Sequence, residues 1–133
     1  RFTPLDLATL PDDLPGEPFD IVFVNRDLCA MPYEAARMVV RQLLLKLRIG
    51  GKLYLSMLGL HSELGDGYAD LGQPVGERHA LLAPAIASKY GIDWPVCLYS
   101  ERDLFMLLLD AGASVLRTLT TTYGNVKGVA VRV

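Results

Sequence analysis

Two strand-like runs flanking one helix-patterned stretch, with short joins on both sides, constrain this chain more than any other feature. FDIVFV (Phe19 to Val24) is nearly continuous apolar sequence rich in β-branched and aromatic residues. A strand buried on both faces reads this way, as in a parallel sheet covered by helices. Pro32 suits the first turn of a helix, where its missing N–H costs nothing. From there Ala36, Val39, Val40, Leu43 and Leu47 recur at helical spacing and form one apolar stripe, with Arg37, Arg41 and Lys46 mostly off it. Lys46 and Arg48 place positive charge at the negative end of the helix dipole, and Gly50 or Gly51 is expected to supply the left-handed stop. KLYLSML (Lys52 to Leu58) follows as the next strand. Strand, helix and strand joined this closely imply a parallel, right-handed crossover.

The remaining order extends the same sheet. Residues 1–18, with four prolines and four acidic residues, read as the end of a strand followed by a loop. Residues 59–99 form a long excursion. Its first part, GLHSELGDGYADLGQPVG, reads as glycine-rich loop, and ERHALLAPAIASKYG as a helix interrupted or kinked at Pro84 and closed by Gly91. An insertion of this length after a core strand is expected to be a lid or binding loop. Ser100 is an N-cap with Asp103 three residues on, Leu104, Leu107, Leu108 and Ala111 form the stripe, and Gly112 ends the helix. SVLRTLTTTYGNVKGVAVRV reads as two strands around Gly124-Asn125, a dipeptide suited to a tight hairpin turn. The expected order is β–α–β, insertion, α–β–β, with the last strand antiparallel to its neighbour.

Composition narrows the class further. At 133 residues the chain fits one domain, and a net charge of −2 with a pI near 5.6 gives no general attraction to nucleic acid or anionic membranes. The longest apolar runs are cut by Arg41 and Lys46, so no segment is expected to span a bilayer, and no signal peptide is visible. Cys29 and Cys97 stand in apolar settings without metal or redox spacing, which points to buried reduced thiols and favours cytoplasm. The first residue is Arg1, so a fragment, a processed product or an excised domain is expected.

Four stretches in order carry a family likeness: LDLATLPDDLPGEPFDIVFV, LRIGGKLYLSM, YSERDLFMLLLDAGASV and the terminal hairpin around Gly124. Together they resemble the C-terminal half of a class I S-adenosylmethionine-dependent methyltransferase, across nearly the whole chain. The resemblance implies a partial Rossmann-like sheet with a reversed C-terminal strand. It implies S-adenosylmethionine as cofactor, and methyl transfer to a small-molecule acceptor as part of a larger enzyme. The family's glycine-rich turn after the first strand and the acid ending the second are not in this sequence. The fragment alone is therefore not expected to hold the cofactor. GDGYADLG (Gly65 to Gly72) lies within an acidic insertion instead of linking a strand to a helix, so it reads as a flexible lid and not as a replacement cradle.

The resemblance also assigns residues. Asp6 matches the acid that accepts from the adenine amino group, with the Leu7 backbone N–H beside it; a solvated loop aspartate is the other reading. Asn25 and Arg26 follow the fourth strand of the family's sheet, where open α/β sheets place ligands; there they would touch cofactor or substrate, and a capped turn before the helix is the plainer reading. NRDL lacks the proline-rich signature of amino-group methylation, so nucleobase chemistry is not supported. His61 lies just past the fifth strand and could take a proton as the methyl group arrives; a solvated loop histidine is the plainer reading. His79 reads as a surface residue on a helix, and the two histidines lack metal-ligand spacing. Tyr68, Trp94 and Tyr99 either line a substrate pocket or pin the excursion to the core. In the family's sheet FDIVFV pairs with a strand absent here, leaving an apolar edge that soluble proteins avoid. A homodimer partner or the missing N-terminal half is expected to cover it. The other reading of the chain is a non-catalytic dimerisation or interaction module without cofactor binding.

Overall fold

The computed structural model describes residues 16–133. The stretch read as a strand end and loop, with Asp6 and Leu7, lies almost wholly outside the described residues. Strand β1 (Phe19–Asn25) leads through a short 3-10 turn to α1 (Tyr33–Lys46), then β2 (Leu47–Met57). The insertion holds α2 (Pro84–Tyr90), after which come α3 (Glu101–Asp110), β3 (Ser114–Thr120) and β4 (Val126–Val131). The sheet order is β1-β2-β4-β3, with β1 and β2 parallel and β4 antiparallel to both of its neighbours. This is the expected partial Rossmann-like sheet with a reversed final strand.

One face of the sheet makes the core. Leu53, Leu55 and Met57 of β2 and Val126 and Ala130 of β4 are buried in one cluster with Val40, Leu43 and Leu44 of α1 and Leu104, Leu107 and Leu108 of α3. Each such leucine contributes about 1.5–3 kcal/mol by leaving water. At Gly128 an added Cβ would lie 3.0 Å from Leu108 and 3.1 Å from Leu104, so α3 rests directly on β4. Helix α3 begins where expected: Ser100 Oγ accepts from Asp103 N–H, and the Asp103 carboxylate accepts from Ser100 N–H, a reciprocal capping box.

The opposite face differs from expectation. Only Val24 of β1 is buried; Ile21 is 49% and Phe23 74% exposed, so this strand is covered on one face alone. The apolar run encodes two apolar faces, but among the described residues both helices of the sheet lie on the same side. Phe23 stacks on Tyr54 of β2 with ring centroids 4.8 Å apart. With Val129 and Leu119 they line an open groove of about 470 Å³.

The helix-to-strand junction also corrects the reading. Helix α1 ends at Lys46, not at the glycines, and Arg48, Gly50 and Gly51 belong to β2. The physical reason is long-range. The Arg132 guanidinium donates to the carbonyls of Leu45 (3.2 Å) and Leu47, satisfying the helix end that the glycines were expected to close. Gly50, at φ +84°, instead shapes an irregular start to the strand, where its N–H donates to Arg132 O. Arg48 pairs with Asp20 across the strand join rather than with the dipole.

In the insertion Pro84 opens α2 instead of kinking a longer helix, and Gly91 closes it in the left-handed conformation. Residues 78–83 are not helical, because Ala80 pairs in a β-bridge with Val96 and Arg78 turns inward. His79 is accordingly on no helix; its N–H donates to Asp70 and its ring lies 3.3 Å from Ala30 O. The β3–β4 connection is a five-residue loop, Thr121 to Asn125, closed by Thr121 N–H to Asn125 O at 2.7 Å, and so is longer than the expected tight turn. No helix is long and apolar enough to cross a membrane among the described residues.

Candidate active site

Parallel strands bring their carboxyl ends to one edge, and here those ends belong to β1 and β2. Three segments gather over that edge. Arg26 and Asp27 follow β1, Leu58 to Leu64 follow β2, and the insertion returns along them, with Leu60 N–H to Tyr99 O (2.8 Å) and Tyr99 N–H to Leu58 O (2.9 Å). The Thr121–Asn125 loop then packs against the second segment. Asn125 Oδ1 accepts from Gly59 N–H at 3.0 Å.

These segments enclose two adjoining cavities. The larger, about 400 Å³, is lined by Arg26, Ser62, Glu63, Tyr90, Tyr123 and Asn125 among others. The smaller, about 260 Å³, is lined by Asp27, Cys29, Trp94 and Val96 among others. Arg26, Leu58 and Ile92 line both, so the two cavities meet at these side chains. At the rim Lys89 Nζ donates to Glu63 Oε1 at 2.7 Å and the Tyr90 hydroxyl donates to Glu63 Oε2, tying α2 to the loop after β2. Those two hydrogen bonds hold the Glu63 carboxyl below the usual carboxylate range.

Arg26 has the one positive φ among the described non-glycine residues, +69°. For a residue with a long side chain this conformation costs on the order of 1 kcal/mol or more and concentrates at functional sites. Its N–H donates to Ser56 O at 2.7 Å and its carbonyl accepts from Cys29 N–H at 3.1 Å, so the chain holds it there from both sides.

The residues expected to act together are distributed differently. Arg26 lines both cleft cavities, whereas its neighbour Asn25 opens onto the groove on the uncovered sheet face. His61 is exposed, between the buried Leu60 and the cavity-lining Ser62. Of the insertion's aromatics, Trp94 lines the cleft, while Tyr68 and Tyr99 are buried. The Tyr68 hydroxyl donates to Val96 O at 2.6 Å, which pins the excursion to the core. Within GDGYADLG, Gly65 lies against Leu60, where an added Cβ would be 2.1 Å from its carbonyl oxygen. Cys29 and Cys97 are unpaired and buried, and desolvation pushes their thiols up to about 12 and about 11.

Asn125, Tyr123 and Glu63 are cleft residues that sequence reasoning missed. Asn125 read as a turn residue, and nothing local signals that its side chain reaches Gly59. Glu63 read only as part of an acidic loop.

No protein-family model matches the chain, and no curated protein matches it. Solved structures do. A SAM-dependent methyltransferase from Methanosarcina mazei aligns with a TM-score of 0.66 at 18% identity, over 97% of this chain and 65% of its own. The 1,6-didemethyltoxoflavin-N1-methyltransferase of Burkholderia thailandensis, with bound 1,6-didemethyltoxoflavin and S-adenosylhomocysteine, aligns at 0.64 and 17% identity, over 99% and 50%. Magnesium protoporphyrin IX methyltransferase from Synechocystis PCC 6803, with bound SAH, aligns at 0.57 and 22% identity, over 97% and 49%. This chain thus spans between about a third and two thirds of the length of the structures it matches. It has the Rossmann-like fold of the SAM-dependent methyltransferases, over a part of their length.

Proposed function

We propose that this chain is the C-terminal part of an S-adenosylmethionine-dependent enzyme that methylates a small-molecule acceptor. The observation that carries the reading is the sheet, with its reversed final strand, matched over nearly all of this chain by methyltransferase structures. A cleft at the carboxyl ends of β1 and β2 supports it, because open α/β sheets bind ligands there. Catalysis in such a site is mostly positioning of the acceptor in line with the methyl group. His61, one residue before the cleft wall, is the proposed base; Asp6, Leu7, Asn25 and Arg26 are the proposed contacts to cofactor or acceptor. Replacing His61 with alanine in a competent enzyme should lower turnover about a hundredfold while leaving S-adenosylhomocysteine binding unchanged, and turnover equal to the parent's would exclude His61 from this role.

The glycine-rich cradle is not in this sequence, so we assign it to residues from outside the chain, docked along the β1 edge and the open apolar face. The missing N-terminal half is one source and a second copy the other. The uncovered face, with Phe23 and Ile21 exposed, equally favours a second reading, an interaction module without cofactor. Calorimetric titration of S-adenosylhomocysteine into the 133-residue chain, and into any longer chain its gene encodes, separates the two. Binding by the longer chain supports the methyltransferase, and no binding by either leaves the module. Sedimentation on the same samples tests the covering, which a monomer at every concentration would argue against.

A further inference from the structure

We propose that the cleft around Arg26 takes an aromatic carboxylic acid, its carboxylate held by Arg26 and Asn125 and its ring by the apolar wall beneath Trp94. Resting on the reading of the cleft as an acceptor site, this names the acceptor's chemical class. Two donors carry it. The Arg26 guanidinium makes no hydrogen bond or ion pair among the described residues, although its backbone is held in a costly conformation that turns it to the cleft. Asn125 is oriented without ambiguity: Gly59 N–H can only donate, so the atom that meets it is Oδ1. The Asn125 amide nitrogen is left with two N–H groups and no acceptor among the described residues, and Asn125 lines the same cavity as Arg26.

A guanidinium and an amide N–H are both donors, so the group that satisfies them is an acceptor, and an anion is favoured by the cation. The other charges facing the cleft are Glu63 and Asp27. Glu63 is already engaged by Lys89 and Tyr90, so its charge is offset. Asp27 lines only the smaller cavity. That places the carboxylate in the larger cavity and the uncharged ring against Leu58, Ile92, Trp94 and Val96 in the smaller. A flat ring suits this wall because Trp94 and the aliphatic side chains give contact area without requiring a hydrogen bond.

The test uses salicylate and its uncharged amide, salicylamide, titrated into the 133-residue chain by calorimetry and NMR. Salicylate should bind about ten- to a hundredfold more tightly than salicylamide. Arg26→Gln should abolish that preference, and Arg26→Lys should restore part of it. Asn125→Asp, which keeps an oxygen for Gly59 N–H while replacing the donors with a charge, should also abolish it. Arg26→Gly, which relieves the positive φ, should raise the melting temperature while losing salicylate, so lost binding is not mistaken for lost folding. Equal binding of acid and amide, or an acid preference that survives Arg26→Gln, overturns the proposal. If Arg26→Gln in the longer chain weakens S-adenosylhomocysteine and leaves salicylate untouched, the anion held is the cofactor's carboxylate and the acceptor assignment falls. Failure of the methyltransferase reading is separate: it appears as absent S-adenosylhomocysteine binding by the longer chain as well, with salicylate binding intact.

Discussion

Replacing Arg78 with methionine should lower the stability of the chain by about 3–5 kcal/mol, because it leaves a carboxylate without its cation in a mostly buried setting. The Arg78 side chain is only 6% exposed. It donates to Asp103 Oδ2 at 2.8 Å, to Leu98 O at 2.7 Å, and to Gln73 O from two nitrogens. One side chain thus joins the glycine-rich part of the insertion, the segment leading out of it and the first turn of α3. Methionine fills similar volume and supplies none of those donors. The same Asp103 oxygen accepts Ser100 N–H, so the capping box loosens with the pair.

Acid should reproduce the effect in the unaltered chain. Burial raises the Asp103 pKa, but Arg78 and Ser100 outweigh it and hold the carboxyl below its ordinary value. A carboxyl whose pKa is lower folded than unfolded binds more protons in the unfolded state. Its stabilisation is therefore complete above the ordinary carboxylate range and disappears as pH falls through the folded value. Chemical denaturation at neutral pH and at pH about 3 measures both effects. The Arg78→Met chain should lose this part of the acid sensitivity, and a midpoint within about 0.5 kcal/mol of the parent at neutral pH would mean the pair is not what holds the insertion.

The same contrast between local and distant causes decides how much of the molecule can be read from sequence. The α1 stripe and the Ser100–Asp103 box are settled within a few residues, by helical periodicity and by a side chain reaching its own helix, and both form as expected. The end of α1 is not local: it depends on Arg132, far along the chain, capping Leu45 and Leu47. Residues 78–83 carry a helical pattern, but Val96 and Asp103 compete for them and win. The continuous apolar pattern of FDIVFV correctly marks two apolar faces, yet says nothing of whether the second finds a cover among the described residues. In the site, the place of Arg26 was legible from its position after a parallel strand. The conformation that directs it is a tertiary fact, and so is the contact from Asn125 to Gly59.

That contact leads to the other large expected effect. Changing Gly59 to alanine should destabilise the chain by at least about 3 kcal/mol, beyond the usual 1–3 kcal/mol of an overpacked site, because the obstruction is backbone. A Cβ built on Gly59 lies 1.7 Å from Gly124 O and 2.6 Å from Gly124 C. Neither side can yield cheaply. Gly124 sits at φ +88° with its own Cα facing Ser62, where an added Cβ would be 2.7 Å from Ser62 Cα. Gly59 is held by the hydrogen bond to Asn125 Oδ1 and by a β-bridge to Tyr99. The loop after β2 and the β3–β4 loop therefore meet main chain to main chain, and the larger cleft cavity lies between them. If the alanine chain survives, it should do so by parting these loops, with Tyr123 and Asn125 displaced and salicylate binding lost. Thermal denaturation and amide exchange of residues 121–125 test this directly. A melting temperature within a few degrees of the parent, with exchange in that loop unchanged, would show that the close approach of the two loops is not fixed.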